Sequence, residues 1–181
     1  MGCGGGLGHL GLQFATKMGL KVHGMDAADG PLKLARSLET GARIVDVRSE
    51  VAGSVLKEIE EEDGKKEKGE IGLDAVLILP ESQKAFNYGM ALLRNHGKCV
   101  VVSFPTAGFH VDAGALVFRD ISVMGSLIGS NKTLKEMLQF CAEHGVRAKI
   151  RTFPLERLNE LVEQYNKDAG GKLVIDMNMK N

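Results

Sequence analysis

The stretch Gly2–Asp26, GCGGGLGHLGLQFATKMGLKVHGMD, decides how this chain folds. Glycines crowd its first residues and stand directly before an apolar stripe of helical spacing at residues 7–18. Glycine lets a backbone come close to a pyrophosphate, and the unpaired amides of a helix's first turn face the negative charge of such a group. A short apolar strand, residues 21–25, follows. The stretch therefore predicts a helix and a strand arranged around a dinucleotide-binding turn.

The rest of the chain alternates short β-branched runs with longer segments of helical period. This alternation is typical of a parallel sheet with helices packed on it, so the class predicted is α/β. Residues 75–79 are continuously apolar, which favours a strand buried on both faces. The charged segment 60–70, EEEDGKKEKGE, has nothing to bury and predicts a solvated loop. Further helices are predicted near 31–41, 51–59, 82–93, 134–144 and 155–165, and further strands near 43–47, 99–102, 121–125, 150–153 and 173–175, with Gly97 as the turn before residue 99.

Composition argues against several classes of function. Lys and Arg total 23, as do Asp and Glu, and this formal charge of zero gives no electrostatic reason to expect nucleic acid or an anionic membrane as a partner. No apolar run reaches the ~18 residues of a membrane-spanning helix and no secretory leader is recognisable, so a soluble cytoplasmic protein is predicted. The cysteines Cys3, Cys99 and Cys141 lie far apart and the histidines stand singly, so no metal ligand is assigned.

The glycine pattern by itself leaves an alternative open. A literal G-x-G-x-x-G fits Gly6, Gly8 and Gly11, and a looser G-x-x-G-x-x-G fits Gly2, Gly5 and Gly8. Patterns this short also occur in flexible N-terminal tails, which are often rich in glycine. The residues that follow must therefore decide between a binding turn and a tail.

Asp26 stands at the end of the predicted strand 21–25, about 20 residues after the glycines, where dinucleotide-binding folds place an acid. Its carboxylate can accept hydrogen bonds from the adenosine ribose, and its charge would repel the extra phosphate of NADP. The coenzyme predicted is therefore NAD. The alternative is that Asp26 only begins the turn that contains Asp29 and Gly30.

Residues 2–27, GCGGGLGHLGLQFATKMGLKVHGMDA, resemble the signature G-A-G-G-G-L-G-H-L-x-x-Q-x-A-K-x-M-G-x-x-V-x-x-x-D of fungal and bacterial zinc-containing alcohol dehydrogenases of the medium-chain dehydrogenase/reductase superfamily. The resemblance continues, in the family's order, at 73–79 (LDAVLIL), 93–105 (LRNHGKCVVVSFP), 119–129 (RDISVMGSLIG) and 154–176. It implies a doubly wound parallel (Rossmann-like) sheet. Because the family places a hydrophobic strand before the glycines, it also implies a sheet lacking its first strand, with a C-terminal α/β appendage.

The resemblance further implies a division of the chain into two parts. Residues 1–125 would be an NAD-binding Rossmann-like domain truncated at its N-terminus, and residues 126–181 would pack on an absent catalytic domain. In the family the zinc ligands precede the glycines, so zinc is expected only in the missing N-terminal half, and this chain alone is expected to be inactive. The strand near 121–125 pairs between subunits in relatives, which implies a homo-oligomer, dimer or tetramer, for the full-length form.

Carried over residue by residue, the resemblance implies a coenzyme site built from three groups of residues, with no catalytic residue in this chain. Gly5, Gly6 and Leu7 line the pyrophosphate turn with Gly2, Gly4 and Gly8; Asp26 and Lys33 hold the adenosine ribose; Leu79, Pro80, Val102 and Phe104 border the nicotinamide at the carboxyl ends of two strands.

The function implied is that of an oxidoreductase chain that binds NAD for hydride transfer between a primary or secondary alcohol and its aldehyde or ketone, zinc-dependent in the full-length protein. One alternative is a non-catalytic NAD-binding or regulatory fragment of such an enzyme. A zinc-free quinone-oxidoreductase-like relative that uses NADPH is disfavoured by Asp26. The small alcohol or aldehyde substrate is not specified, since the substrate pocket belongs chiefly to the absent half.

Two residues depart from the family pattern. Asn131 stands where the family has an arginine that contacts the coenzyme phosphate, and Lys172 stands where it has a second arginine near the C-terminus. A lysine keeps the charge but loses the bidentate fork of arginine, and an asparagine keeps neither. Weakened coenzyme binding is therefore expected.

An Asn131→Arg variant is expected to bind NAD more tightly than the wild-type chain, because it restores a cation for the coenzyme phosphate. Calorimetric titration of NAD into both proteins measures the difference. Equal affinities would refute the expectation.

Overall fold

The computed structural model describes residues 1–64, 67–167 and 170–179. Helices alternate with strands, and every strand pair among these residues is parallel, which confirms the predicted α/β class. None of the described helices is long and apolar enough to cross a bilayer. In chain order the elements are α1 Gly8–Lys17, β1 His23–Asp26, α2 Asp29–Ser37, β2 Arg43–Asp46, α3 Ala52–Asp63, β3 Leu73–Ile78, α4 Gln83–Leu92, β4 Leu93–Val101, α5 Ala113–Arg119, β5 Ser122–Gly125, α6 Asn131–His144, β6 Ile150–Phe153, a 3₁₀ helix Leu155–Arg157, α7 Leu158–Asn166 and β7 Lys172–Ile175.

The chain divides into two compact units. The turn unit consists of residues 2–46 and 129–181, and the sheet unit consists of Met1 and residues 47–128. Strands β1 and β2 pair in the turn unit, as do β6 and β7, and the sheet unit holds the order β3-β4-β5. The predicted doubly wound sheet pairs β1 with β2 and places β4 between β3 and β5, and the structure shows both of these arrangements. The domain boundary between residues 125 and 126 stays a prediction.

In the turn unit, helix α1 packs on strand β1 through Leu12, whereas Leu7 and Met18 at the ends of the predicted apolar stripe are exposed, so the buried face of the helix differs from the predicted one. Leu12 is 4% exposed and lies in a small core with Cys3 and Ala35. Gly24 lets the helix come close to the strand, since a Cβ at this position would lie 2.8 Å from Leu12 Cδ2. This packing fixes the start of α1, and with it the glycines that precede the helix, relative to the end of β1.

The core of the sheet unit lies on one face of β3. Val76 and Ile78 are buried, whereas Leu77 between them is 50% exposed. The expectation that residues 75–79 are buried on both faces is therefore wrong. Side chains alternate between the two faces of a strand, and only the side chains on one face of β3 pack in the buried cluster. This cluster consists of Val76, Ile78, Phe86, Met90, Leu93, Cys99 and Ile121.

Two element ends differ from the predictions. Helix α3 continues to Asp63 and ends at Gly64, whose φ of 62° is left-handed, so the predicted loop 60–70 begins too far upstream. Its acidic residues are tolerated on the solvent side of the helix, while Val55 and Ile59 on the other side are buried. Residues 65–66 of that segment lie outside the described residues. Strand β4 begins at Leu93, and the predicted turn at Gly97 lies in an irregular part of β4 where its register with β3 shifts.

A Phe86→Ala variant is expected to lose about 3–5 kcal/mol of unfolding free energy. Phe86 is 1% exposed, and its ring stacks on that of Phe109 with a centroid distance of 4.9 Å, so truncation leaves a cavity in the core. Urea denaturation followed by circular dichroism measures the loss. Phe118→Ala is the matched control, because Phe118 is 87% exposed and its removal should change stability by less than about 0.5 kcal/mol. Equal losses in the two variants would contradict the assignment of Phe86 to the core.

Candidate functional site

The glycine turn, residues 2–8, is attached to the end of strand β1. The amides of Gly2 and Cys3 both donate to the carbonyl of Met25, at 2.8 and 3.1 Å. The next amide, that of Gly4, donates to Asp26 Oδ2 at 3.0 Å. The turn therefore lies at the carboxyl end of β1, the end of a parallel sheet at which such folds bind ligands.

Two glycines of the turn are required by space. A Cβ at Gly4 would overlap the backbone carbonyl of Pro31, and a Cβ at Gly8 would overlap the carbonyl of Gly2. Gly2 itself has a φ of 77°, a conformation that side chains disfavour. These contacts show an ordered, tightly packed turn in place of the flexible tail that the sequence left open.

The outer part of the turn carries backbone donors that have no acceptor in the described part of the chain. The amides of Gly6 and Leu7 have no acceptor among the described residues, and both precede the first turn of α1. The nearest side chain to Gly6 is that of Lys172, whose Nζ would lie 3.2 Å from a Cβ built on Gly6. Two free amides, the positive end of a helix and an ammonium group thus meet at one place, which suits a phosphate or diphosphate.

Asp26 holds the turn and has capacity left for a ligand. Its Oδ2 accepts from the Gly4 amide, and its Oδ1 accepts from the amide of Ala27 at 2.8 Å. Each carboxylate oxygen can accept a second hydrogen bond, and the side chain is only half-buried. The alternative that Asp26 only begins a turn accounts for the bond to Ala27 but not for the bond to Gly4.

The other residues predicted for this part of the site differ in their setting. Lys33 and Asn131 are exposed on α2 and α6, and neither hydrogen bonds to the turn within the described residues. Lys172 is anchored beside the turn, because the amide of its neighbour Gly171 donates to the Gly4 carbonyl at 3.1 Å. The structure therefore brings together the glycines, Leu7, Asp26 and Lys172.

A second group of predicted residues lies at the carboxyl ends of β3 and β4 in the sheet unit. The amide of Val102 donates to the carbonyl of Ile78 at 3.1 Å, and Phe104 is 77% exposed. Ser103, which the sequence analysis did not select, donates its hydroxyl to the Pro80 carbonyl at 2.8 Å. It thereby ties the segment after β3 to the segment after β4. Its place between two predicted residues, Val102 and Phe104, was the available sign of a role.

Two of the three cysteines, Cys3 and Cys99, are buried thiols that do not suit a nucleophile or a metal ligand. Burial, followed by the charge of Asp26, raises the pKa of Cys3 to about 12, and burial raises the pKa of Cys99 to about 11. Both thiols therefore stay protonated at neutral pH, whereas metal binding and nucleophilic attack need the thiolate. Among the described residues no three His, Cys, Asp or Glu side chains come together as a metal site.

The chain matches the family model described as zinc-binding dehydrogenase over residues 6–143. This match spans most of the chain, and the protein belongs to that family. The predicted resemblance to zinc-type alcohol dehydrogenases of the medium-chain superfamily is confirmed, and with it membership of an oxidoreductase family.

Individual relatives agree with the family. An alcohol dehydrogenase of Geobacillus stearothermophilus is 32% identical over 174 residues, which are 96% of this chain and 48% of that protein. The chain spans about half the length of the curated relatives it matches. A cinnamyl alcohol dehydrogenase of Sorghum bicolor has a TM-score of 0.76 and 26% identity, covering 98% of this chain and 47% of that one. An acetophenone reductase of Geotrichum candidum, solved in complex with NAD, has a TM-score of 0.75 at 18% identity, covering 98% and 48%, and this likeness shows the fold alone.

A Gly8→Ala variant is expected to lose about 1–3 kcal/mol of unfolding free energy, because its methyl group must displace the Gly2 carbonyl from the turn. Gly11→Ala is the matched control in the same helix. A Cβ at Gly11 meets nothing within 4 Å, so alanine there should stabilise the helix by up to about 1 kcal/mol. Urea denaturation compares the two variants, and a Gly8→Ala variant as stable as the wild type would show that the turn is not packed as described.

Proposed function

We propose that this chain binds NAD and provides the coenzyme side of hydride transfer between an alcohol and its aldehyde or ketone, as part of a zinc-dependent alcohol dehydrogenase. The observation that carries the proposal is the glycine turn at the end of β1: the amides of Gly6 and Leu7 are free within the described residues, the ammonium of Lys172 lies beside Gly6, and the carboxylate of Asp26 accepts from the Gly4 amide. Membership in the zinc-binding dehydrogenase family supports the same reaction.

In this proposal the turn binds the diphosphate of the coenzyme. The amides of Gly6 and Leu7 donate to its oxygens, and the N-terminus of α1 and Lys172 balance its charge. Gly2, Gly4 and Gly8 shape the turn, because side chains at these positions would meet backbone or strain it. Asn131 and Lys33 would reach the coenzyme from exposed positions on α6 and α2.

Asp26 makes NAD the proposed coenzyme. Its carboxylate already accepts from the Gly4 amide, so it is held at the edge of the turn with lone pairs left for the ribose hydroxyls. A phosphate on the same ribose would approach a fixed negative charge and would lose binding energy. NADP is therefore expected to bind less tightly than NAD.

The nicotinamide would lie against Leu79, Pro80, Val102 and Phe104. The bound coenzyme supplies the hydride acceptor, and a zinc ion supplied by the part of the family protein outside the matched half would lower the pKa of the alcohol. The task of this chain is to orient the ring: the Ser103 hydroxyl holds the Pro80 carbonyl, which restricts the two segments on which those residues lie. A small alcohol as substrate and a homo-oligomeric parent protein belong to the same proposal, and a cytoplasmic location stays a prediction.

Calorimetric titration of NAD and NADP into the 181-residue chain tests the proposal, with NAD expected to bind more tightly. Asp26→Asn should lower NAD affinity about tenfold or more, the value of a hydrogen bond to a charged group, and should narrow the preference over NADP. Asparagine keeps an acceptor for the Gly4 amide, so the turn should survive the change.

Glu163→Gln is the control for that substitution, because it removes one negative charge from an exposed position on α7. It should leave both affinities unchanged. A folded wild-type chain that does not bind NAD at millimolar concentration would refute the proposal. Binding of NAD without oxidation of any alcohol would leave the coenzyme role in place and assign the reaction to the longer protein.

A further inference from the structure

The signature at the start of the chain contains a histidine and a glutamine that the proposed function does not use. His9 lies in the first turn of α1 and is 0% exposed, the one charged or polar residue so deeply buried among the described residues. Gln13 follows it by one helical turn, on the same side of α1. A buried polar side chain is kept where its hydrogen bonds are made, so the partners of His9 indicate its role.

Both ring nitrogens of His9 are occupied. Nε2 lies 3.0 Å from the backbone amide of Lys149, which can only donate, so Nε2 accepts and carries no proton. The proton of the neutral ring is therefore on Nδ1, which donates to the carbonyl of Gly5 at 2.9 Å. His9 thus joins the glycine turn to residue 149 through a single side chain.

Gln13 reinforces this attachment. Its Nε2 donates to the carbonyl of Arg147 at 2.9 Å, and its Oε1 accepts from the amide of the same residue at 3.0 Å. The side-chain amide thus pairs with the backbone of Arg147 as a neighbouring strand would. Together, His9 and Gln13 hold residues 147–149 against helix α1.

Residue 149 in turn holds Lys172. The Lys149 carbonyl accepts from the Lys172 amide at 2.9 Å, next to the β6–β7 ladder in which Ile150 pairs with Lys172. A Cβ at Gly171 would lie 2.7 Å from the Lys149 carbonyl, so the two backbones are in close contact. The Lys172 side chain then extends over Gly6. A continuous path of hydrogen bonds therefore leads from the glycine turn through His9 and Lys149 back to the cation beside that turn.

We propose that His9 is a positioning residue for the coenzyme diphosphate: through Lys149 it holds the ammonium of Lys172 over the glycine turn. The inference rests on the proposed function, since the diphosphate is that of the bound dinucleotide. A lysine side chain is long and flexible, and its charge is effective at one site only if its backbone is fixed there. His9 fixes that backbone and the Gly5 carbonyl of the turn at the same time.

Two substitutions separate the functions of the two ring nitrogens. An asparagine at position 9 can donate to Gly5 near the place of Nδ1 but cannot reach Lys149, whereas a glutamine can accept from Lys149 near the place of Nε2. His9→Asn is expected to weaken ADP binding about tenfold, because the diphosphate loses its hydrogen bond to the charged ammonium of Lys172. Adenosine has no diphosphate, so its binding should be unchanged. His9→Gln is expected to retain most of the ADP affinity.

A double-mutant cycle shows whether His9 acts through Lys172. Lys172→Met should weaken ADP binding to a similar degree, and adding His9→Asn to it should cause little further loss, because the group that His9 positions is already gone. His110→Asn and Lys167→Met, at exposed positions outside the site, are the controls and should leave both affinities unchanged. Hydrogen exchange in the ligand-free chain adds a reading that needs no coenzyme: the amides of Lys149 and Lys172 should exchange faster in His9→Asn and not in His9→Gln.

The titrations of ADP and adenosine separate a failure of the positioning role from a failure of the proposed function. If the wild-type chain binds ADP and the His9→Asn variant binds it equally well, the positioning role is overturned. The same holds if His9→Asn weakens ADP and adenosine binding together. Either result leaves the proposed function standing. A wild-type chain that binds neither NAD nor ADP overturns the proposed function and this role with it. If His9→Asn does not fold, Gln13→Leu is measured in its place: it removes both hydrogen bonds to Arg147 and loosens residues 147–149 on α1, so ADP binding should weaken while adenosine binding does not. Unchanged ADP binding in Gln13→Leu would overturn the claim that this attachment positions Lys172.

Discussion

The hydrogen bonds at the end of strand β1 are the constraint on which the candidate site depends. Successive amides of the glycine turn donate to the Met25 carbonyl and the Asp26 carboxylate, so the turn is hydrogen-bonded to the last two residues of the strand. Each of these donors would otherwise be an unpaired backbone group in a packed region, which costs free energy. With the turn held from this side, the amides of Gly6 and Leu7 are left without an acceptor among the described residues. The site is thus a consequence of which amides the fold satisfies and which it leaves free.

Asp26 serves the fold and the proposed ligand with the same carboxylate. The bond from Gly4 orders the turn, and the remaining lone pairs are available to a ribose. In the proposed function, coenzyme selectivity and the order of the turn therefore depend on the same side chain. Burial beside Leu12 and Ala35 raises the pKa of the Cys3 thiol, and the negative charge of Asp26 adds to this rise.

The C-terminal strands are part of this same unit. Residues 129–181 form a compact unit with residues 2–46, in which Phe14 and Phe140 pack with their ring centroids 5.7 Å apart. The family's domain plan, which assigns this segment a partner elsewhere, stays a prediction. The amide of Gly171 donates to the carbonyl of Gly4, which attaches this segment directly to the glycine turn. Lysine at position 172 can therefore contribute a fixed charge although it lacks the fork of an arginine.

The sequence by itself determined the α/β class, the place of most strands and helices, the glycine turn and the acid at position 26, because periodicity and glycine spacing are local properties of the chain. It placed the end of α3 too early, since a charged run does not distinguish an exposed helical face from a loop, and it assigned β3 two buried faces, since an apolar run does not reveal how many layers pack on a strand. Tertiary structure alone decided the roles of His9, Gln13 and Ser103. Their partners at Lys149, Arg147 and Pro80 are distant in sequence or are backbone atoms, and the meaning of a polar side chain depends on the donor or acceptor that folding brings to it.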